Sequence, residues 1–312
     1  MSTGKSVISQ EFIRNFLSEN RVVVVDGGSR GALFAPFDQV SGNLLQVLRF
    51  EPDPQAEINK SDDEVIFNKG LWKEEAMVNL NLAKNPSTSS VYPPNKALLE
   101  RFDDRVGYPP RKTEKVLEIE GVDIDRAVKI ANVPLVDFIK LDIHGAEYEA
   151  VLGATESLTH SCVGLLVEAW FIDVHSGQKL IFDVEKLLAE KGFYKFGNTQ
   201  VISWPRKQVK KLKSKGQIVG EENYYMFVCN SKQDIERLGK VRAIKLAAIA
   251  DLFGHTDYAL QLFNMIHEAG FLSATEYEKI KAHIVAQNKI RLMDRFIAKG
   301  IHMLQRMRDK RM

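Results

Sequence analysis

Up to about residue 230, runs of consecutive apolar residues alternate with stretches of helical period; beyond it only the helical period remains. Val7, Ile8, Phe12, Phe16 and Leu17 predict an amphipathic helix over 7–20. Four successive valines at 22–25 suit a strand buried on both faces, the habit of parallel sheets under helices. The glycine-rich segment Asp26 to Gly31 then predicts a turn, with a short helix from Leu33 to Val40 and a second strand over 44–51. DEVIFNKGLW and AMVNLNLA, joined by KEE, predict a hairpin. NPSTSSVYPPN (85–95) reads as a surface loop, and 115–120 as a strand. Strands at 135–143, 162–171, 193–196 and 223–230 then alternate with helices at 146–158 and 182–191. Such alternation implies an α/β fold, a parallel sheet with helices on both faces. Only helices are predicted after Ser231, so the expected organisation is a sheet domain over 1–230 and an α-helical extension over 231–312.

Composition narrows the class. With 312 residues, 45% of them hydrophobic and 27% charged, the chain has ample material for a folded core. A net charge of +2 argues against nucleic acid as a partner. Cys162 and Cys229 are too few for a cysteine-rich zinc site and fit a reducing compartment. No apolar run has transmembrane length and no signal peptide is evident, so a cytoplasmic location is expected.

Three segments carry candidate chemistry. In the first, the glycine turn lets a ligand approach backbone N–H groups, and Glu51, 25 residues after Asp26, can accept both hydroxyls of a ribose. The run Asp26-Gly27-Gly28-Ser29-Arg30-Gly31 departs from the dinucleotide G-x-G-x-x-G. Its G-x-x-G spacing suits S-adenosylmethionine better, with Asp26 holding the ligand's ammonium; the alternative is a turn that merely joins two elements. In the second, IKLDIHGAEYEAVLGA, Asp142 and His144 stand at the carboxyl edge of a strand, where open α/β sheets bind ligands. Helix capping by Asp142 and a dipole role for Glu147 are the plain alternatives. In the third, Glu168 interrupts an apolar strand and requires a partner, a cation or a proton.

Together, VVVVDGGSRG, RFEPD, SSVYPPN, VDFIKLDIHGAEYEAVLGA and VEAWFIDVHSGQKLIFDVEKLLAEKGF resemble the FkbM-type methyltransferases over about residues 20–230. The resemblance implies a Rossmann-like class I methyltransferase sheet, S-adenosylmethionine as cofactor and methylation of a sugar or glycan hydroxyl, on a free or lipid-linked substrate. By position it implies a cofactor turn at Gly28 and Gly31, a ribose acid at Glu51 and a substrate loop containing Ser89, Ser90 and Pro94; Asp26 and Ser29 of the same turn are expected to join the cofactor site. Asp142, Gly145 and Glu147 match the family's strand-four motif and Glu168 its strand-five acid, and the expected catalytic residues are Asp142, His144 and Glu168. Two residues depart from the family pattern: His144 stands where Glu or Gln is usual, and Ala32 replaces a frequent glycine.

A hydroxyl acceptor needs a base, and His144 titrates in the useful range. Asp142 and Glu168 could instead hold a divalent cation, to which the sequence does not commit. From Lys289 to Arg311, eight basic residues against Asp294 and Asp309 flank an apolar stripe. That basic amphipathic helix reads first as a solvated face on a packed helix, and alternatively as a peripheral membrane contact or the seam of a homo-oligomer. RKQVKKLKSK (206–215) is a second basic run. A non-catalytic Rossmann-like scaffold and, more remotely, a dehydrogenase are the competing functional classes.

Overall fold

The computed structural model describes residues 6–59, 63–208 and 215–289. The basic helix expected over 289–311 and most of the 206–215 run lie outside those residues. The chain divides into two compact units, one built on sheets (21–34 and 45–228) and one helical (6–20, 35–44 and 229–289 of the described residues). The linear boundary near 230 thus meets one crossing between units, but residues before 21 and the excursion 35–44 group with the helices.

The sheet unit contains β1 (Val22–Gly27), β2 (Leu45–Phe50), β3 (Glu64–Phe67), β4 (Gly70–Leu71), β5 (Ala76–Ala83), β6 (Thr113–Val122), β7 (Phe138–Leu141), β8 (Gly164–Trp170), β9 (Phe193–Trp204) and β10 (Gln217–Phe227). Seven of them form a mixed sheet in the order β3-β2-β1-β7-β8-β10-β9. The first five are mutually parallel; β10 runs antiparallel to both β8 and β9. Chain order reverses between β1 and β7, and such a switch point opens a crevice at the carboxyl ends of its strands. Val22–Val25 are buried, as a β-branched run in a central strand requires.

The core continues through Leu48, Ile139, Leu141, Leu165 and Val167 to the helix Ile181–Glu190. Asp183 closes that helix onto the Leu180 amide at 3.0 Å, and Gly192, at φ 86°, follows its end. In the helical unit Lys240–Leu252 is buried along most of its length, and Asp251 accepts the Val7 amide at 2.7 Å. Among the described residues no helix is long and apolar enough to cross a membrane.

Four local expectations change. The helix expected over 33–40 does not form: after Gly31 the chain makes turns and one 3-10 turn, Phe37–Gln39. Gly31 instead exchanges backbone hydrogen bonds with Glu57 and Asn59, so its peptide groups serve a strand-like bridge. The expected hairpin is also absent, because β6 lies between β4 and β5, parallel to the first and antiparallel to the second. Eight alternating residues of β5 demanded a longer partner than the two of β4, and β6 supplies it. The predicted helix 146–158 is two, Glu147–Leu152 and Thr155–His160, broken at Gly153. The N-terminal helix is shorter, Glu11–Glu19, after a 3-10 turn.

Candidate active site

A cavity of about 340 Å³ opens at the switch point. Its wall includes Gly28, Arg30, Phe34, Phe50 and Glu51, together with Leu80, Ser87, Ser89, Val91 and Ile119, and Asp142 and His144 also line it.

Gly28 is in the left-handed region, at φ 75°, and an added Cβ would lie 2.0 Å from the Asp142 carbonyl oxygen. Glycine therefore stands here because β1 and the end of β7 come into backbone contact. Around the turn runs a buried charge network. Asp26 accepts from Ser29 Oγ at 2.6 Å and lies 3.3 Å from Lys140 Nζ and 3.7 Å from Arg49 Nε. Arg49 also donates to Ser29 Oγ (2.5 Å), to the Gly31 carbonyl (2.8 Å) and to Glu64 (3.2 Å). Lys140 donates to the Gly27 and Gly28 carbonyls and faces Asp142 at 3.6 Å. Burial works against the Lys140 ammonium, but Asp142 and Asp26 outweigh it and hold its pKa above the usual lysine value.

Of the expected cofactor residues, Asp26, Gly28 and Glu51 reach the cavity, whereas Ser29 and Gly31 do not line it. Ser29 is consumed by Asp26 and Arg49, and Gly31 turns toward residues 57–59. Glu51 ends β2, accepts the Asp53 amide at 2.9 Å and faces Arg30 Nε at 3.4 Å. Burial raises its pKa, opposed by the Asp53 amide and Arg30. Arg30 also pairs with Asp53.

β7 ends at Leu141, so Asp142 and His144 lie just beyond the strand's carboxyl end. They meet through a turn in which His144 has φ 53°. His144 Nε2 lies 3.9 Å from Asp142 Oδ1, and Nδ1 lies 3.5 Å from Glu168 Oε1. The imidazole stacks on Trp170, with centroids 6.1 Å apart. Burial holds the His144 pKa below the usual histidine value; Asp142 opposes this and Arg111 reinforces it. Glu168 is pushed well above the carboxylate range by burial, then by Asp142, Glu147 and Glu222, with Arg111 opposing. It sits within β8, directly opposite Glu222 of β10, rather than at the strand tip.

Asp142 does not cap the following helix, whose N-cap is Ala146 with no side-chain bond. Glu147 instead accepts the Ile143 amide at 3.0 Å and the Gly145 amide at 2.8 Å, fixing the turn that carries His144. Ser89 lines the cavity and accepts the Ala83 amide; Ser90 is buried, accepts the Tyr92 amide and does not line it. Pro94 forms an isolated bridge with His175, pinning the loop.

Sequence reasoning missed Arg49, Lys140 and Arg111. All three are buried; Arg49 and Lys140 interrupt apolar strands, the same signal that singled out Glu168, whereas Arg111 follows Pro109 and Pro110 in a polar stretch that carries no such signal. Arg111 lies over the Trp204 ring, 4.3 Å from its centroid, and burial draws its pKa down to about 10, with Glu168 opposing.

Comparison with known proteins follows this geometry. The Methyltransferase FkbM domain model matches residues 27–194. Among solved structures, the methyltransferase FkbM from Methylobacillus flagellatus KT, a crystal structure at 2.20 Å resolution, is similar at 13% identity and a TM-score of 0.36. The match covers 67% of this chain and 44% of that one, so the chain spans less than half that protein's length. No curated protein matches. With more than half its length under the family model, from the glycine turn through the helix after β8, the chain belongs to the FkbM methyltransferase family.

Proposed function

We propose that the protein transfers the methyl group of S-adenosylmethionine to a hydroxyl oxygen of a sugar or glycan. The observation that carries this reading is one cavity bordered both by a ribose-competent carboxylate, Glu51, and by a half-buried polar pair, Asp142 and His144. Phe34, Phe50 and Pro52 offer apolar surface for a nucleoside beside Glu51, and Asp26 stands near the glycine turn for the amino-acid end. Ser87, Ser89 and Lys69 offer polar contacts to the acceptor, with Leu80, Val91 and Ile119 as an apolar wall. Such a mixed wall suits a ring that carries both hydroxyls and C–H faces.

In the reaction, a lone pair of the acceptor oxygen forms the C–O bond as the C–S bond breaks. The bonding pair stays on sulfur, and S-adenosylhomocysteine leaves. The hydroxyl proton passes to the Asp142–His144 pair, where a histidine kept neutral by burial is ready to receive it. Glu168 positions the imidazole from behind. Much of the rate would come from holding the two reactants in line.

The test is incubation of the full chain with S-adenosylmethionine and a saccharide panel, followed by mass spectrometry. A gain of one methyl group on a saccharide oxygen is expected. Cofactor binding with no transfer to any oxygen acceptor would favour the non-catalytic module, and absence of cofactor binding would overturn the reading altogether.

A further inference from the structure

We infer that Asp142, His144 and Glu168 form a binding site for one divalent transition-metal ion of the Mn²⁺ type, beside the proposed acceptor position. Each residue can offer one donor atom such that the three atoms lie within 4.8 Å of one another, the one such grouping among the described residues. Small side-chain rotations would bring them onto a cation with bonds of about 2.0–2.2 Å.

Two of the donors are orphans. His144 Nδ1 and Glu168 Oε1 are both fully buried and neither has a hydrogen-bond partner. His144 Nδ1 and Glu168 Oε1 lie 3.5 Å apart, so the two orphaned atoms face each other.

Charge points the same way. Acidic groups crowd Glu168, with Asp142, Glu147 and Glu222 acting on it against Arg111, and Lys140 faces Asp142. Lys140 is moreover shared with Asp26. One imidazole and two carboxylates select Mn²⁺ or Zn²⁺ over Mg²⁺ and Ca²⁺, which favour all-oxygen sets.

This inference rests on the hydroxyl-methylation reading, in which an ion here would bind the acceptor oxygen and lower its pKa. His144 would then hold the ion, and the hydroxyl proton would pass to the uncoordinated oxygen of Asp142. The departure of His144 from the family's Glu or Gln would in that case set the metal preference of this chain.

The experiment is titration of the metal-stripped full chain with Mn²⁺, without cofactor or acceptor, read by calorimetry and electron paramagnetic resonance. One ion per chain is expected, with nitrogen coupling to the Mn²⁺ signal. His144→Ala and Glu168→Gln should each weaken binding at least tenfold, within the range for lost ligands and their supports. Absence of binding, absence of nitrogen coupling in the unaltered protein, or affinity within threefold in both variants would overturn the site. Parallel titration with S-adenosylmethionine separates the two ideas: cofactor binding without Mn²⁺ binding sinks the metal alone, and the converse sinks the proposed function alone.

Discussion

Replacing Gly28 by alanine should damage the protein far more than the same change at Gly31, although both glycines have nearly the same φ, 75° and 74°. The left-handed conformation alone costs a non-glycine residue about 1–2 kcal/mol, and this applies at both positions. The surroundings differ. At Gly31 nothing lies within 4 Å of an added Cβ, so Gly31→Ala should cost about 1–2 kcal/mol and no more. At Gly28 the Cβ would lie 2.0 Å from the Asp142 carbonyl oxygen, a backbone atom that no rotamer change can move. The end of β7 would have to retreat by more than an ångström, and overpacking of this kind adds about 1–3 kcal/mol. Gly28→Ala should therefore cost about 2–5 kcal/mol. All three tryptophans, Trp72, Trp170 and Trp204, belong to the sheet unit, so tryptophan fluorescence during urea unfolding follows that unit. The displaced strand end carries Asp142, so affinity for S-adenosylmethionine, measured by calorimetry under folding conditions, should also fall in Gly28→Ala more than in Gly31→Ala. Equal destabilisation of the two variants, to within about 0.5 kcal/mol, would refute the claim that backbone contact at the switch point dictates glycine.

Three further outcomes are expected. Glu51→Ala should weaken S-adenosylmethionine binding by about 1–3 kcal/mol, as for a polar partner left unpaired; unchanged affinity by calorimetry would remove Glu51 from the cofactor site. Arg49→Met should cost about 3–5 kcal/mol in urea unfolding, because it removes a buried cation that pairs with Glu64 and, beside Lys140, with Asp26. Burial pushes Glu147 up to about 8 from 4.5, against the pull of the backbone amides it accepts. A folded-state value above the unfolded one means stability is full below about 4.5 and is lost as pH rises toward 8, by up to about 1.4 kcal/mol per unit. Glu147→Gln should flatten that slope in melts from pH 5 to 8, and an unaltered slope would place its cause elsewhere.

What the sequence revealed and what it hid follow from how local each signal is. VVVV at 22–25 and LLVEAWF at 165–171 declare buried strands because apolar runs of that length have few other uses. The alternation of strands and helices was enough to predict the α/β class, and the motif residues that line the cavity were legible as strand-end acids and a glycine turn. Pairing partners were not. β5 reaches across the 85–95 loop to β6, and nothing within residues 63–84 specifies that. The missing helix after the glycine turn has the same origin, since Gly31 finds its partners at 57–59, well along the chain. Arg49 and Lys140 were visible as basic residues in apolar strands, yet which carboxylate each would meet depended on the order of strands in the sheet.

That order also explains why the proposed cofactor end and the reacting end of the cavity form one mechanical unit. Asp26 stands near the end of β1, Lys140 belongs to β7 and Asp142 follows it, and the two strands pair in register with Asp26 opposite Lys140. Lys140 then spans Asp26, the Gly27 and Gly28 carbonyls and Asp142 with a single ammonium group. A ligand that alters the charge around Asp26 must change what Lys140 can offer Asp142, because three donors are shared among more acceptors than they can satisfy at once. Coupling between occupancy of the glycine turn and the electrostatics of the Asp142–His144–Glu168 centre therefore needs no moving loop; it is carried by one buried lysine across one pair of strands.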